Sequence, residues 1–259
     1  MEAQPERVAA AKPKRRWFQF SLATLLLLTL VCAVVLALWV APAARQRRIV
    51  AFVEEQGGFV SYAKEDTIAP QWLREWLGRD YFQSVSGVNL TNTQVTDTGL
   101  AQLKGLAGLE ELYLHRTQVS GSGLVHLKGL TSLEVLDLSF TRTTDAGLAQ
   151  LKELTAVKKL YLSTTRVSDG GLVHLKGLKL ELLDVRITQV GDAGLVHLKG
   201  QTALKKLWVG GAKQISNAGL VHLKGLPALK ELVLDGTQVT DTGLAELIDA
   251  LPNCAIRRL

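Results

Sequence analysis

The sequence predicts an α/β chain in which a solenoid of about seven strand–turn–helix repeats follows one membrane-spanning helix. Two observations carry this expectation. A Gly-Leu pair recurs with leucine at 100, 124, 148, 172, 195, 220 and 244, at spacings of 24, 24, 24, 23, 25 and 24. From Trp17 to Ala44 no charged residue occurs, while cations cluster on both sides. A fixed period of this length marks stacked supersecondary units, none of which can bury its apolar face alone.

The apolar stretch comes first in the chain. Trp17 and Trp39 are 22 residues apart, roughly 33 Å at helical rise, enough to place both indoles at the interfaces of a ~30 Å hydrocarbon layer. Lys14, Arg15 and Arg16 precede the stretch; Arg45, Arg47 and Arg48 follow it. Residues 17–44 are therefore expected to form a signal-anchor transmembrane helix behind a disordered basic tail, 1–16. The N-terminal flank carries five cationic side chains against three on the other side. That bias predicts a cytoplasmic N-terminus and an exported repeat domain, periplasmic or extracellular. A cleaved signal peptide, cut at Ala41-Pro42-Ala43, is the competing reading.

Charge distribution argues against a nucleic-acid partner. Net charge is +6, but residues 1–48 alone account for it, and the rest of the chain is balanced. A nucleic-acid binder needs its positive charge on the folded surface that meets phosphate. Of the two cysteines, Cys32 lies in the apolar stretch and Cys254 near the far end, so a disulfide framework is not expected.

The repeat unit reads L-x-x-L-x-L-x-x-T-x-V-T/S-D-x-G-L-x-x-L-x-x-L. One copy runs Leu109, Leu112, Leu114, Thr117, Val119, Gly123, Leu124, Leu127, Leu130. L-x-L is strand alternation with leucines on one side. G-L-x-x-L-x-x-L places leucines on one helical face. The Thr/Ser-Asp pair between them reads as a helix cap, so Asp97, Asp145, Asp169, Asp192 and Asp241 are expected to be structural.

On these residues the chain resembles the leucine-rich repeat family, in the subclass with cysteine at the turn and an I-T-D-x-G-L stretch. Here threonine stands at that position, at 93, 117, 141, 165, 188 and 237; Lys213 breaks the series, and an insertion is expected near Gly210-Gly211. No F-box-like segment precedes the repeats, so the ubiquitin role of that subclass is not implied. The layout is similar to bacterial membrane-anchored leucine-rich repeat proteins. The resemblance implies a leucine-rich repeat solenoid over residues 85–259, ending in a cap at 251–258.

Residues 45–84 are expected to form linker and N-terminal cap: a short helix from Ile49 to Glu55, a strand Phe59–Tyr62, and a second helix from Gln71 to Gly78. Trp72 and Trp76 share a face of that second helix and are expected to cover the first repeat.

Candidate chemistry is sparse. His126, His174, His197 and His222 share one slot on the outer surface, where repetition explains them better than a metal does. Lys104, Lys128, Lys152, Lys176, Lys199 and Lys224 form a similar outer row. No G-x-S-x-G, H-E-x-x-H or phosphate-binding glycine loop occurs, so neither an enzyme nor a cofactor is expected. The candidate ligand-binding surface is the concave strand face. The middle residue of each L-x-L points away from the core, giving Asn89, Tyr113, Asp137, Tyr161, Asp184, Trp208 and Val233, with His115, Ser139, Ser163, Arg186 and Asp235 two residues on. Rigid aromatics among polar neighbours are typical of protein-binding hot spots. The expected function is a non-catalytic protein-interaction module, with a glycan as a second ligand class. A self-assembling envelope protein without a foreign ligand is the alternative.

Overall fold

The structure is a computed structural model that describes residues 22–35, 40–63, 72, 75, 78 and 81–258. The chain divides into two compact units, Met1–Ala41 and Pro42–Leu259.

In the first unit, helix α1 runs Leu22–Val35. Leu22, Leu25, Leu26, Leu27, Leu28, Leu30, Val31 and Val34 are all exposed on it. Its 14 residues span roughly 21 Å. Among the described residues no helix is long and apolar enough to cross a membrane. Much of the expected 17–44 span, including Trp17 and Trp39, and the whole 1–16 tail lie outside them.

The second unit opens within α2, which runs Ala41–Glu55 with Pro42 in its first turn, where the missing N–H costs nothing. The helix is longer than the expected Ile49–Glu55, and it caps the first repeat. Ile49, Val50 and Val53 enter the core. Gln46 donates to the Gln83 carbonyl at 2.8 Å and accepts from the Val85 N–H at 3.1 Å. Strand β1, Phe59–Tyr62, pairs antiparallel with β2, Val85–Asn89. Trp72 is 66% exposed and does not cover the repeat as expected; Trp76 and most of 71–78 lie outside the described residues.

From β2 onward the sheet is parallel, adding β3 (Glu111–Tyr113), β4 (Val135–Asp137), β5 (Lys159–Tyr161), β6 (Leu182–Asp184), β7 (Lys206–Trp208), β8 (Glu231–Val233) and β9 (Ala255–Arg257) in sequence order. The chain end expected as a cap supplies β9, preceded by a longer helix, Asp241–Ala250.

Leucines dictate this stacking. Leu112, Leu136, Leu160, Leu183, Leu207 and Leu232 are in register and fully buried. Four of the returning segments are one α-turn followed by a 3₁₀ turn, as in Asp145–Leu148 then Ala149–Glu153. Spacing explains this departure from a continuous α-helix. Leu148, Leu151 and Leu154 recur every three residues, which keeps them on one side of a 3₁₀ helix, with its 3.0 residues per turn. Gln201 replaces leucine once and is buried. Its amide donates to the Leu175 carbonyl at 3.0 Å and accepts from the Leu180 N–H at 3.3 Å.

The threonine series closes the turn after each strand. Each hydroxyl donates to the carbonyl three residues earlier, at 2.6–2.8 Å. In the sixth repeat Ala212 fills the buried place, and Lys213, the extra residue, is turned outward.

The aspartates do something the cap reading missed. Thr96, Thr144 and Ser168 stand at the cap position, and four of the five aspartates reach into the next repeat, while Asp241 pairs with Arg258. Asp97, Asp145, Asp169, Asp192 and Asn217 accept, through Oδ1, the backbone N–H of Ser120, Ser168, Gly191, Ser216 and Thr240 at 2.6–2.9 Å. Where serine follows, its hydroxyl donates to Oδ2, as Ser168 does to Asp145 at 2.5 Å. Burial would raise the Asp97 pKa, but the Ser120 hydroxyl and N–H, the Ser122 hydroxyl and the Gly123 N–H together hold it below the usual value. The glycines of five Gly-Leu pairs make room for this staple. A Cβ at Gly123, Gly171, Gly194, Gly219 or Gly243 would sit 2.2–2.4 Å from the side-chain oxygen concerned.

Candidate functional site

The sheet has one face on the core and one open. The L-x-L middle positions fall in a single row across the open face: Asn89, Tyr113, Asp137, Tyr161, Asp184, Trp208, Val233 and then Arg257. All seven expected positions are therefore brought together, at roughly 4.8 Å per strand. Arg257 was missed because it lies in the segment read as a cap.

The members of the row differ in what they offer. Asn89, Asp137 and Asp184 each accept, through Oδ1, the backbone N–H two residues on, at 2.9, 2.8 and 3.0 Å. These three carry a strand-ending turn, so part of the row serves the fold as well as facing outward. Asp184 is 1% exposed. Its carboxylate takes both Arg186 Nε at 2.9 Å and Nη2 at 2.8 Å. That fork is the strongest ion-pair geometry open to arginine, and it raises the Arg186 pKa. Asp184 thus positions Arg186 and presents almost no surface of its own. Ser139 and Ser163 are buried as well, because the turn that follows each strand folds over them. Neither is available as a contact.

What remains exposed or partly exposed forms a connected cluster across β5 to β9. The Arg186 guanidinium lies 4.9 Å from the Trp208 ring centroid. Tyr161 and Trp208 rings are 6.2 Å apart at 53°. Trp208 Nε1 donates to Glu231 at 3.1 Å, and Glu231 also pairs with Lys206 at 2.8 Å and Arg257 at 3.6 Å. The Lys206 hydrogen bond leads in lowering the Glu231 pKa. Burial, then the charges of Asp137 and Asp184, raise that of Tyr161.

A second cluster lies toward the N-terminal end. The Tyr113 hydroxyl donates to Glu111 at 3.1 Å, and burial together with that carboxylate pushes its pKa up to about 12. His115 packs on Phe140 with centroids 5.0 Å apart, and the Arg116 guanidinium stands 5.2 Å from the same ring. Phe140 and Ile187 occupy the left-handed turn position, at φ 57° and 54°, and are 41% and 60% exposed. Bulky or β-branched residues are costly at positive φ. Exposed apolar side chains held there extend the open face at its edge. The sequence held the signal: neighbouring repeats carry Asn92, Arg116 and Thr164 in this slot.

On the outer surface, Nδ1 of His126, His197 and His222 is buried and, among the described residues, has no hydrogen-bond partner. Among the described residues no group of three His, Cys, Asp or Glu is placed to hold a metal. On the open face Asp137 accepts a backbone N–H, Asp184 and Glu231 pair with cations, and Glu111 accepts the Tyr113 hydroxyl. The arrangement is suited to contact, through aromatic faces and fixed guanidinium groups.

Comparison with known proteins agrees on the architecture. Internalin C2 from Listeria monocytogenes is similar in structure, with a TM-score of 0.53 and 24% sequence identity over 70% of this chain and 86% of that one. The fold is a leucine-rich-repeat solenoid. No family model matches the chain, and no curated protein does.

Proposed function

We propose that this chain is a membrane-anchored, non-catalytic interaction module that docks a protein on the open, concave face of its leucine-rich-repeat solenoid. The observation that carries the reading is the Tyr161–Arg186–Trp208 cluster, locked by the buried Asp184. Side chains already held in one arrangement lose little entropy on binding. Tyr, Trp and Arg are also the residues most often found as anchors. A glycan, which stacks on aromatic faces, is the second ligand class for the same surface.

The anchor is residues 17–44, with the repeat domain exported. The exposed leucines all round α1 and the flanking cations support this. A signal-peptidase cut after Ala43 would remove the first turn of α2, including the buried Ala43, which favours an uncleaved anchor.

Self-assembly is the alternative. It draws support from the outer edge of β9, which pairs with no strand among the described residues.

Substitution separates these readings. With a partner in hand, Trp208→Ala is expected to weaken binding by on the order of 2 kcal/mol or more, and His197→Ala, on the outer surface, to leave it unchanged. The reverse pattern overturns the concave-face assignment.

A further inference from the structure

The aspartate staple is interrupted once, and the interruption sits beside two arginines. At the slot where Asp97, Asp145, Asp169 and Asp192 stand in their repeats, the second repeat has Gly121. Thr144, the residue at the next cap, therefore meets no carboxylate from the preceding repeat. The two backbones close up instead: a Cβ on Gly147 would lie 2.5 Å from the Gly121 Cα.

Beside this junction lies a groove of about 450 Å³, lined by Ser120, Ser122, Arg142, Thr144, Gln150 and Arg166, among others. Arg142 and Arg166 occupy equivalent places in consecutive repeats, bridged in parallel to Ser120 and Thr144. The other repeats carry glutamine there: Gln94, Gln118, Gln189, Gln214 and Gln238. Both arginines are exposed, and among the described residues neither makes an ion pair. The flanking carboxylates are engaged elsewhere, Asp97 by Ser120 and Ser122, Asp145 by Ser168.

We propose that this groove binds a doubly charged phosphate group. Two guanidinium groups one repeat apart, roughly 4.8 Å at the backbone, supply two charges and two planar forks. Each fork takes a pair of oxygens. A phosphate dianion has the charge and the oxygens to satisfy both, whereas a carboxylate is satisfied by one. The Thr144 N–H and hydroxyl, whose counterparts elsewhere hold the staple carboxylate, add donors suited to an anion. The site lies off the open sheet face, so it stands independently of the protein-docking surface.

The test is calorimetric titration of the full chain in detergent, at constant ionic strength, with inorganic phosphate, O-phosphoserine and acetate. Saturable binding is expected for the phosphates and none for acetate. The tighter of the two phosphates identifies whether the source is a free ion or a monoester. Arg142→Gln and Arg166→Gln, which install the residue of the sister repeats and so preserve the fold, are each expected to weaken binding at least fivefold. The double variant is expected to abolish it. Equal binding of acetate, or unchanged phosphate affinity in the double variant with native-like unfolding, overturns the proposal.

Discussion

Gly171→Ala tests the inter-repeat staple most sharply. A Cβ at this position would meet Asp145 Oδ1 at 2.4 Å, with Leu148 Cδ1 and Val167 Cγ1 at 3.1 Å. The carboxylate must withdraw, which breaks the Ser168 N–H bond at 2.7 Å and the Ser168 hydroxyl bond at 2.5 Å. Hydrogen bonds to a charged acceptor contribute about 1.5–3 kcal/mol each. Against this, replacing glycine within a helical turn returns up to about 1 kcal/mol. The net expected loss is about 2–5 kcal/mol. Asp145→Ala removes the same two bonds and opens the space that the added methyl group needs. The double variant Asp145→Ala/Gly171→Ala is therefore expected to cost little more than Asp145→Ala alone, a coupling on the order of 2 kcal/mol. Urea unfolding followed by circular dichroism on the four proteins measures it. Costs that add to within about 0.5 kcal/mol would refute the interlock.

Leu136→Ala in β4 leaves a cavity at a fully buried, in-register position and is expected to destabilise by about 2–5 kcal/mol; a loss under about 0.5 kcal/mol would contradict the register. For topology, a reporter active only in the cytoplasm, fused after Leu259, is expected to be silent, and Arg15→Glu with Arg16→Glu to weaken that silence by reversing the cation bias.

The strand pattern was legible because its period of two is unambiguous: each L-x-L set both the buried leucine and the outward residue, so the seven-residue row follows from the sequence alone. The helical segments were less legible, since leucines three apart fit an α-helix loosely and a 3₁₀ turn closely. The role of the aspartates was hidden because their partners lie about 23 residues away in the next repeat, beyond any local capping pattern. The pairing of Asp184 with Arg186, and the burial of Ser139 and Ser163, depend on how the turns fold over the sheet. No single-repeat motif contains that information. The N-terminal cap was partly misread for a similar reason. Trp72 has the composition of a covering residue, yet α2 had already filled the place with Ile49, Val50 and Val53.

Site-specific photo-cross-linking in intact membranes tests the central claim most directly, with the photoreactive side chain placed at Tyr161 on the open sheet face or at His197 on the outer surface. The concave-face reading predicts a discrete adduct with a different protein from position 161 and none from position 197. Adducts only from position 197, or only with a second copy of this chain, would contradict it.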